Sequence, residues 1–456
     1  MSYALEVAEL DRLNKSAHRT KDVNSILPFS THAFKELRHN YYKITGQIVR
    51  NICNTRLESI SKNTIEGDDD PKIKALKKEV QFESSLDQEV ERFFKDYLYG
   101  DSDDIIITHP YLFNFSKSPD KEIYEKISKF IADVLVGDNK SVQDLFLNTT
   151  SDNILDELVL AKLKINSNNI NLLEYQTLFP SLGGLYCEDL LYLSRHKEYF
   201  LNSFSLLTRF YVFMYTCQTL VKFEEKSDFE KLTPLYFALD WESVGKRRNA
   251  KDGIYAFKRI KDSQKLLFVH LNTLAQLSLF EANKVDNQYK FLHYTELTKL
   301  FDIIQPEDQA EYLASLQDWI VHYQSNFEHR VTDKPIPQSI EEGINILFQS
   351  NSEGIAVDAA KKYGAYIDDL GGAEFIKVRG RSGATLNLTK EMLLLLTSVC
   401  IKDNRIPLNQ LFLEFSKRGI ELDRISKKIV VELLDSLNFI DKKSDSGDAQ
   451  YVKPIL

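Results

Sequence analysis

Residues 387–456, which decide the fold class, read NLTKEMLLLLTSVCIKDNRIPLNQLFLEFSKRGIELDRISKKIVVELLDSLNFIDKKSDSGDAQYVKPIL. In this stretch three runs carry apolar residues at helical spacing, and two short strand-like runs follow them. The order helix–helix–helix–hairpin is that of a winged helix-turn-helix domain. We therefore predict a mainly α-helical protein, with a multi-helical body and a C-terminal winged helix-turn-helix-like domain.

Residues with capping and turn preferences stand at the ends of these predicted elements. The three helices are expected at 388–401, 409–417 and 424–438, and the two wing strands at 439–443 and 449–453. Gly419 is placed to end the second helix, because glycine readily adopts the left-handed conformation found there. Asp423 is placed to cap the third helix, and Gly447 lies in the turn of the wing.

The third predicted helix carries three cations in its N-terminal half, Arg424, Lys427 and Lys428. This is the half that a recognition helix inserts into the major groove of DNA, so we expect these side chains to face the groove. Four more cations are expected on phosphates, two before the first helix and two in the wing: Arg379, Arg381, Lys442 and Lys443.

The balance of charge along the chain favours DNA contact at the C-terminal end. Residues 376–456 hold 14 Lys and Arg against 10 Asp and Glu, whereas the rest of the chain holds 44 against 57. Protein docking or dimerisation is the alternative, since a basic stripe is often only a solvated face. Asp445 and Asp448 at the wing tip also argue against phosphate contact there. The net charge of −9 argues against a general nucleic-acid coat protein.

The length of 456 residues predicts a multi-domain or a large two-lobed chain, at about 150 residues per domain. Pro335 and Pro337 mark the strongest candidate linker. The predicted divisions are a helical body at 1–330 with a possible further boundary near 64–71, a linker with connecting helices at 331–375, and the winged-helix-like domain at 376–456.

We expect a cytoplasmic protein without membrane contact. The four cysteines are far apart and follow no CxxC or zinc spacing, which indicates reduced thiols. The N-terminus lacks the basic-then-apolar layout of a signal peptide. The most apolar segment, 199–221, contains Arg209, which would cost about 2.5 kcal/mol or more inside a bilayer. A buried helix of a helical domain is therefore expected there.

No residue pattern predicts a catalytic residue, a metal site or a cofactor. Gly245-Lys246 lacks the upstream glycine of a phosphate-binding loop, and Arg247 stands where Ser or Thr is required. The nine histidines are dispersed, and no GxSxG motif is present.

The densest polar cluster lies at 235–249, which reads LYFALDWESVGKRRN. One hypothesis is a metal-dependent nuclease, in which Asp240 and Glu242 hold the metal and a lysine binds the phosphodiester. A nuclease core needs strands to present its carboxylates, however, and no strand is predicted here. The other hypothesis is an interaction site for a partner, formed by Trp241, Lys246, Arg247 and Arg248.

Three segments resemble a known family: TLNLTKEMLL at 385–394, LNFIDKKSDSGDAQYV at 437–452 and the tract 235–248. They are similar to the G component of bacterial DNA phosphorothioation-dependent restriction systems, which mark self DNA with sulfur and attack unmarked DNA. The resemblance implies partners, an F-type NTPase and an H-type helicase-like ATPase, and implies no catalytic residues. The leading hypothesis is a non-enzymatic subunit whose body binds these partners and whose terminal domain contacts double-stranded DNA. A pure protein scaffold is the further alternative.

Overall fold

Helices dominate the parts of the chain that the structure, a computed structural model, describes. The described residues are 2–14, 18, 23–28, 37–56, 87–100, 104–167, 173–244, 251–380, 383–442 and 450–456. The prediction of a mainly α-helical protein is confirmed. The proposed boundary near 64–71 lies outside the described residues.

The α-helices and strands are numbered here in chain order. The helices are α1 Val7–Asn14, α2 Leu37–Asn40, α3 Thr45–Cys53, α4 Asp87–Tyr99, α5 Glu122–Ile131, α6 Lys140–Leu147, α7 Ile154–Lys162, α8 Pro180–Ser194, α9 Lys197–Glu225, α10 Lys251–Ser263, α11 Leu267–Leu277, α12 Tyr294–Ile303, α13 Pro306–Asn326, α14 Ile340–Gly354, α15 Val357–Gly364, α16 Tyr366–Phe375, α17 Lys390–Ile401, α18 Leu408–Lys417 and α19 Arg424–Ser436. The strands are β1 Thr55–Arg56, β2 Asn166–Ser167, β3 Leu235–Tyr236, β4 Ala238–Leu239, β5 Lys284–Val285, β6 Gln288–Tyr289, β7 Ile376–Val378, β8 Ala384–Leu388, β9 Ile406–Pro407, β10 Ile420–Glu421, β11 Ile440–Lys442 and β12 Gln450–Val452.

The chain forms two compact units whose boundaries differ from the predicted ones. The first unit contains Met1–His39, Glu174–Phe179 and Val212–Ile455, and the second contains Asn40–Leu173, Pro180–Tyr211 and Leu456. The predicted linker around Pro335 and Pro337 carries no helix or strand, but it lies inside the first unit. Residues 376–455 therefore belong to the same unit as the helices that precede them. The physical reason is strand pairing between the two parts, described below.

The second unit contains an apolar helical core, and Asp156 is one of its buried carboxylates. The apolar core joins α4, the segment after it and α7: Phe94, Leu98, Ile105, Tyr111, Leu112, Phe115, Val159, Leu160 and Leu163. The carboxylate of Asp156 accepts hydrogen bonds from the Tyr97 hydroxyl at 2.7 Å, the Thr108 hydroxyl at 2.6 Å and the Lys197 ammonium at 2.8 Å. These donors compensate the burial of the charge, because a buried carboxylate without them would be costly.

The helix predicted at 199–221 is present as α9, and many of its side chains are fully buried. Within the described residues, no helix is long and apolar enough to cross a membrane. Helices α10 and α11 are separated by residues 264–266. Helix α16 contains a break, since Gly372 has a φ of +54° within it.

Stability of the first unit is expected to fall in acid because His270 is buried without a charge. Burial and, secondarily, the charge of Lys226 lower the pKa of His270 to about 3, and its Nδ1 lies 2.8 Å from the Tyr294 hydroxyl. The unfolded chain takes up the proton near pH 6.5, so the free energy of unfolding falls as the pH drops from 6.5 towards 3. This histidine alone contributes a loss of about 2 kcal/mol between pH 7 and pH 5. Chemical denaturation at pH 7 and pH 5 measures this loss in the free energy of unfolding. The His270→Asn variant should lose less stability between the two pH values than the wild type does. An equal loss in both proteins would contradict the assignment.

Candidate nucleic-acid interface

The C-terminal stretch contains the elements that the sequence predicted, in the predicted order. Helices α17, α18 and α19 are followed by the antiparallel pair β11–β12. The Asp423 side chain caps α19 by accepting from the Ser426 amide at 2.7 Å, and the Thr389 hydroxyl caps α17 in the same way. Strand β9 pairs with β12, so β11, β12 and β9 form a three-stranded sheet.

The turn that ends α18 depends on a glycine, as expected. Gly419 has a φ of +80°, which side-chain-bearing residues rarely adopt. A Cβ atom at this position would also lie 2.7 Å from the Met214 Cε and 3.0 Å from the Gln218 Nε2. The turn therefore packs directly against α9, and this contact helps to fix the start of β10.

The three cations of α19 have different environments. Arg424 is exposed, and the Lys428 side chain is 79% exposed and lies 3.7 Å from Glu432. Lys427 instead turns towards α18 and β10. Its Nζ donates a hydrogen bond to the Glu421 carboxylate at 2.6 Å and lies over the ring of Phe412. Lys427 is therefore less available to a groove than Arg424 and Lys428, because its ammonium is paired with Glu421. The groove contact of the three cations stays a prediction.

The buried face of α19 is narrow. Val430 and Leu434 are fully buried. Ile425 and Leu437, which are also apolar, are 47% and 41% exposed. Ile425 therefore joins Arg424 and Lys428 on the solvent side of the first turns.

Residues 235–239 attach the terminal stretch to the rest of the first unit. Strand β3 pairs in parallel with β10, matching Leu235 with Ile420, and β4 pairs in parallel with β8, matching Ala238 with Asn387. The amide of Phe237 donates to the Glu421 carbonyl at 2.9 Å. The expectation that this tract holds no strand is wrong. Two-residue strands in an apolar run leave no alternating pattern, so the sequence offered no signal for them.

Arg379 was expected to contact a phosphate, but the structure gives its guanidinium internal partners. Nη1 donates to the Glu242 carbonyl at 2.9 Å, and Nη2 donates to the Leu239 carbonyl at 2.7 Å. Nε donates to the Thr385 hydroxyl at 3.0 Å, and Nη2 also donates to the Asn387 amide oxygen at 3.1 Å. The half-buried guanidinium therefore connects β8 to the residues that follow β4. Because its N–H groups already have these acceptors, it is poorly placed to bind a phosphate.

The two carboxylates of the nuclease hypothesis have separate partners. Asp240 directly follows β4, and its Oδ1 lies 2.5 Å from the Lys377 Nζ. The Glu242 side chain is buried, and its carboxylate accepts a hydrogen bond from the Ser426 hydroxyl at 3.0 Å. In the described parts of the chain, no group of three or more His, Cys, Asp or Glu side chains is arranged to hold a metal ion.

Of the residues expected to bind a partner, the structure describes Trp241. It is half-buried, and the Lys390 Nζ lies 5.5 Å from the centre of its ring. Lys442 pairs with Gln450 in the β11–β12 hairpin. The other predicted contact residues lie outside the described parts of the chain: Lys246, Arg247, Arg248, Arg381 and Lys443.

Comparison with protein-family models and with curated proteins finds no match for this chain.

The attachment through 235–239 is expected to govern stability. Phe237 is 2% exposed between β3 and β4, so Phe237→Ala should cost about 3–5 kcal/mol in the free energy of unfolding. Val378 is 74% exposed on β7, and Val378→Ala should change stability by no more than about 0.5 kcal/mol. Denaturant titration of both variants measures the difference. A loss below about 1 kcal/mol for Phe237→Ala would mean that the tract is not part of the core.

Proposed function

We propose that residues 387–456 form a winged helix-turn-helix domain that contacts double-stranded DNA through the first half of α19. The chain as a whole is then a non-catalytic subunit of a bacterial DNA phosphorothioation-dependent restriction complex. Its partners are the F-type NTPase and the H-type helicase-like ATPase of that system. The observation that carries the DNA contact is the pair of exposed cations, Arg424 and Lys428, at the start of the third helix.

The distribution of charge along α19 supports contact through its N-terminal end. Arg424 and Lys428 are exposed in the first two turns, whereas Glu432 and Asp435 are exposed in the last two. DNA phosphates attract the two cations and repel the two carboxylates. A helix lying lengthwise along the DNA backbone would therefore bring the carboxylates into unfavourable contact with phosphates. The positive end of the helix dipole also lies at Arg424. An α-helix fits the major groove in this end-first orientation.

Two further observations support the proposal. The antiparallel sheet joins the strand before α18 to the hairpin after α19, as a winged helix requires. The terminal stretch carries net positive charge in an otherwise acidic chain. Lys442 lies in β11, the first strand of the hairpin that would serve as the wing. Lys442, Lys443 and Arg381 remain the proposed phosphate contacts.

Replacing the two exposed helix cations should weaken DNA binding and reduce its dependence on salt. For Arg424→Ala/Lys428→Ala, the slope of log K against log salt should fall by about 1.8, since each phosphate contact accounts for about 0.9. The matched control is Lys361→Ala/Lys362→Ala, which removes two exposed charges from α15. Fluorescence anisotropy on a short duplex between about 50 and 200 mM salt measures the slopes.

An unchanged slope in the helix variant, with binding by the wild type, would remove α19 from the interface. Absence of DNA binding by the wild type would contradict the proposed DNA contact and favour the hypothesis of a pure protein scaffold. In that case the domain docks protein, and co-purification of the two ATPase partners becomes the measurement that decides its role.

One observation favours the nuclease alternative. Asp240 stands at the carboxyl end of a strand in a parallel pair, with Lys377 beside it, and such a strand end can present a carboxylate to a metal. This alternative predicts DNA cleavage that requires Mg²⁺ or Mn²⁺ and is abolished by Asp240→Ala in a protein that stays folded. Cleavage that persists in Asp240→Ala, or that needs no metal, would contradict it.

A further inference from the structure

Arg379 connects two parts of the first unit that are far apart in the chain. Its guanidinium reaches Thr385 and Asn387, which lie two residues apart on the same face of β8. It also reaches the carbonyls of Leu239 and Glu242, which begin and end the turn after β4. The turn is closed by the Glu242 amide, which donates to the Leu239 carbonyl at 3.2 Å. Arg379 therefore fixes the turn at both of its ends.

The same turn is connected to α19. The Glu242 carboxylate accepts a hydrogen bond from the hydroxyl of Ser426. Ser426 lies in the first turn of the helix and is 1% exposed. A carboxylate at this end of a helix is stabilised by the partial positive charge of the helix dipole. Because both groups are buried, the hydrogen bond is shielded from competition by water. The position of Glu242 therefore affects the position of the first turn of α19.

We propose that Arg379 is a positioning residue for the DNA-contacting helix and does not itself contact a phosphate. It acts through the 239–242 turn and the Glu242–Ser426 hydrogen bond, which together orient the turn that carries Arg424. The consequence for DNA binding rests on the function proposed above. The consequence for the helix itself does not, and it is measurable without DNA.

The planar guanidinium is well suited to this role. It presents several N–H donors in a fixed plane and so satisfies two carbonyls and two side chains together. A lysine at this position has one ammonium group and cannot reach the same acceptors at both ends of the turn. Arg379→Lys should therefore restore only part of what Arg379→Ala removes.

The test compares Arg379→Ala with Arg424→Ala in the full chain, because each variant removes one positive charge. Arg424→Ala should lower the salt slope of DNA binding by about 0.9. Arg379→Ala should weaken binding about tenfold, as expected for losing one well-placed polar contact, with an unchanged slope. A slope that falls equally in both variants would show that Arg379 contacts a phosphate and would overturn the proposal.

A double-mutant cycle separates positioning from general destabilisation. If Arg379 acts through Ser426, then Arg379→Ala should have little further effect on DNA affinity in a Ser426→Ala background. Additive effects of the two substitutions would overturn the proposal. In the wild-type background, Arg379→Lys should bind DNA more tightly than Arg379→Ala but less tightly than the wild type. In the Ser426→Ala background, the two Arg379 substitutions should give the same DNA affinity.

Two readouts without DNA keep this inference separate from the proposed function. Arg379→Ala should speed hydrogen exchange at the amides of residues 427–430 and raise the quenching of Trp241 by acrylamide. The other tryptophan, Trp319, is fully buried and gives a constant background. If the wild type fails to bind DNA while both signals change as expected, the proposed function fails and the positioning role stands. Unchanged exchange at 427–430 would overturn the positioning role.

A milder variant covers the case in which Arg379→Ala does not fold. Thr385→Val removes one acceptor of the guanidinium and preserves the shape of a fully buried side chain. It should produce the same changes in exchange and quenching at smaller size. No change in either signal would overturn the proposal.

Discussion

The first unit depends on the backbone hydrogen bonds of residues 235–239. The carbonyls and amides of this buried tract need partners, because an unpaired buried peptide group costs free energy comparable to a lost hydrogen bond. β10 supplies them to β3 and β8 supplies them to β4, both in parallel register. Five residues therefore join the terminal stretch to the helical part through main-chain contacts. This explains why residues 376–455 do not form a compact unit of their own.

The polar side chains at the ends of this tract extend the same attachment. Lys377 bonds Asp240 at the end of β4, and Arg379 holds the turn that leads to Glu242. Glu242 in turn contacts Ser426 in α19. A continuous set of contacts thus runs from the β7–β8 hairpin through the turn to the helix with the exposed cations. Displacement of the turn is expected to disturb that helix directly.

Five cations of the terminal stretch differ in their environments. Lys377, Arg379 and Lys427 have acceptors or carboxylates within the protein. Arg424 and Lys428 are exposed, and Lys428 has only a long contact to Glu432 in an exposed setting, where ion pairs contribute little. The net charge of the stretch therefore overstates its exposed positive charge. If the proposed function holds, the exposed cations at the start of α19, with acidic residues further along the helix, favour an end-on contact over a broad basic surface.

The sequence by itself determined the helical class, the order of the three helices and the hairpin at 387–456, and the cap at Asp423. These follow from periodicity and from side chains that act on neighbouring residues, which are local in the chain. Only the tertiary structure decided the partners of β3 and β4 and the different environments of Lys427 and Lys428. It also gave Arg379 its internal acceptors, at sequence separations of 137 and 140 residues for Glu242 and Leu239. Such contacts are absent from any local pattern, because a basic side chain has the same appearance in the sequence whether it faces solvent or a buried carbonyl.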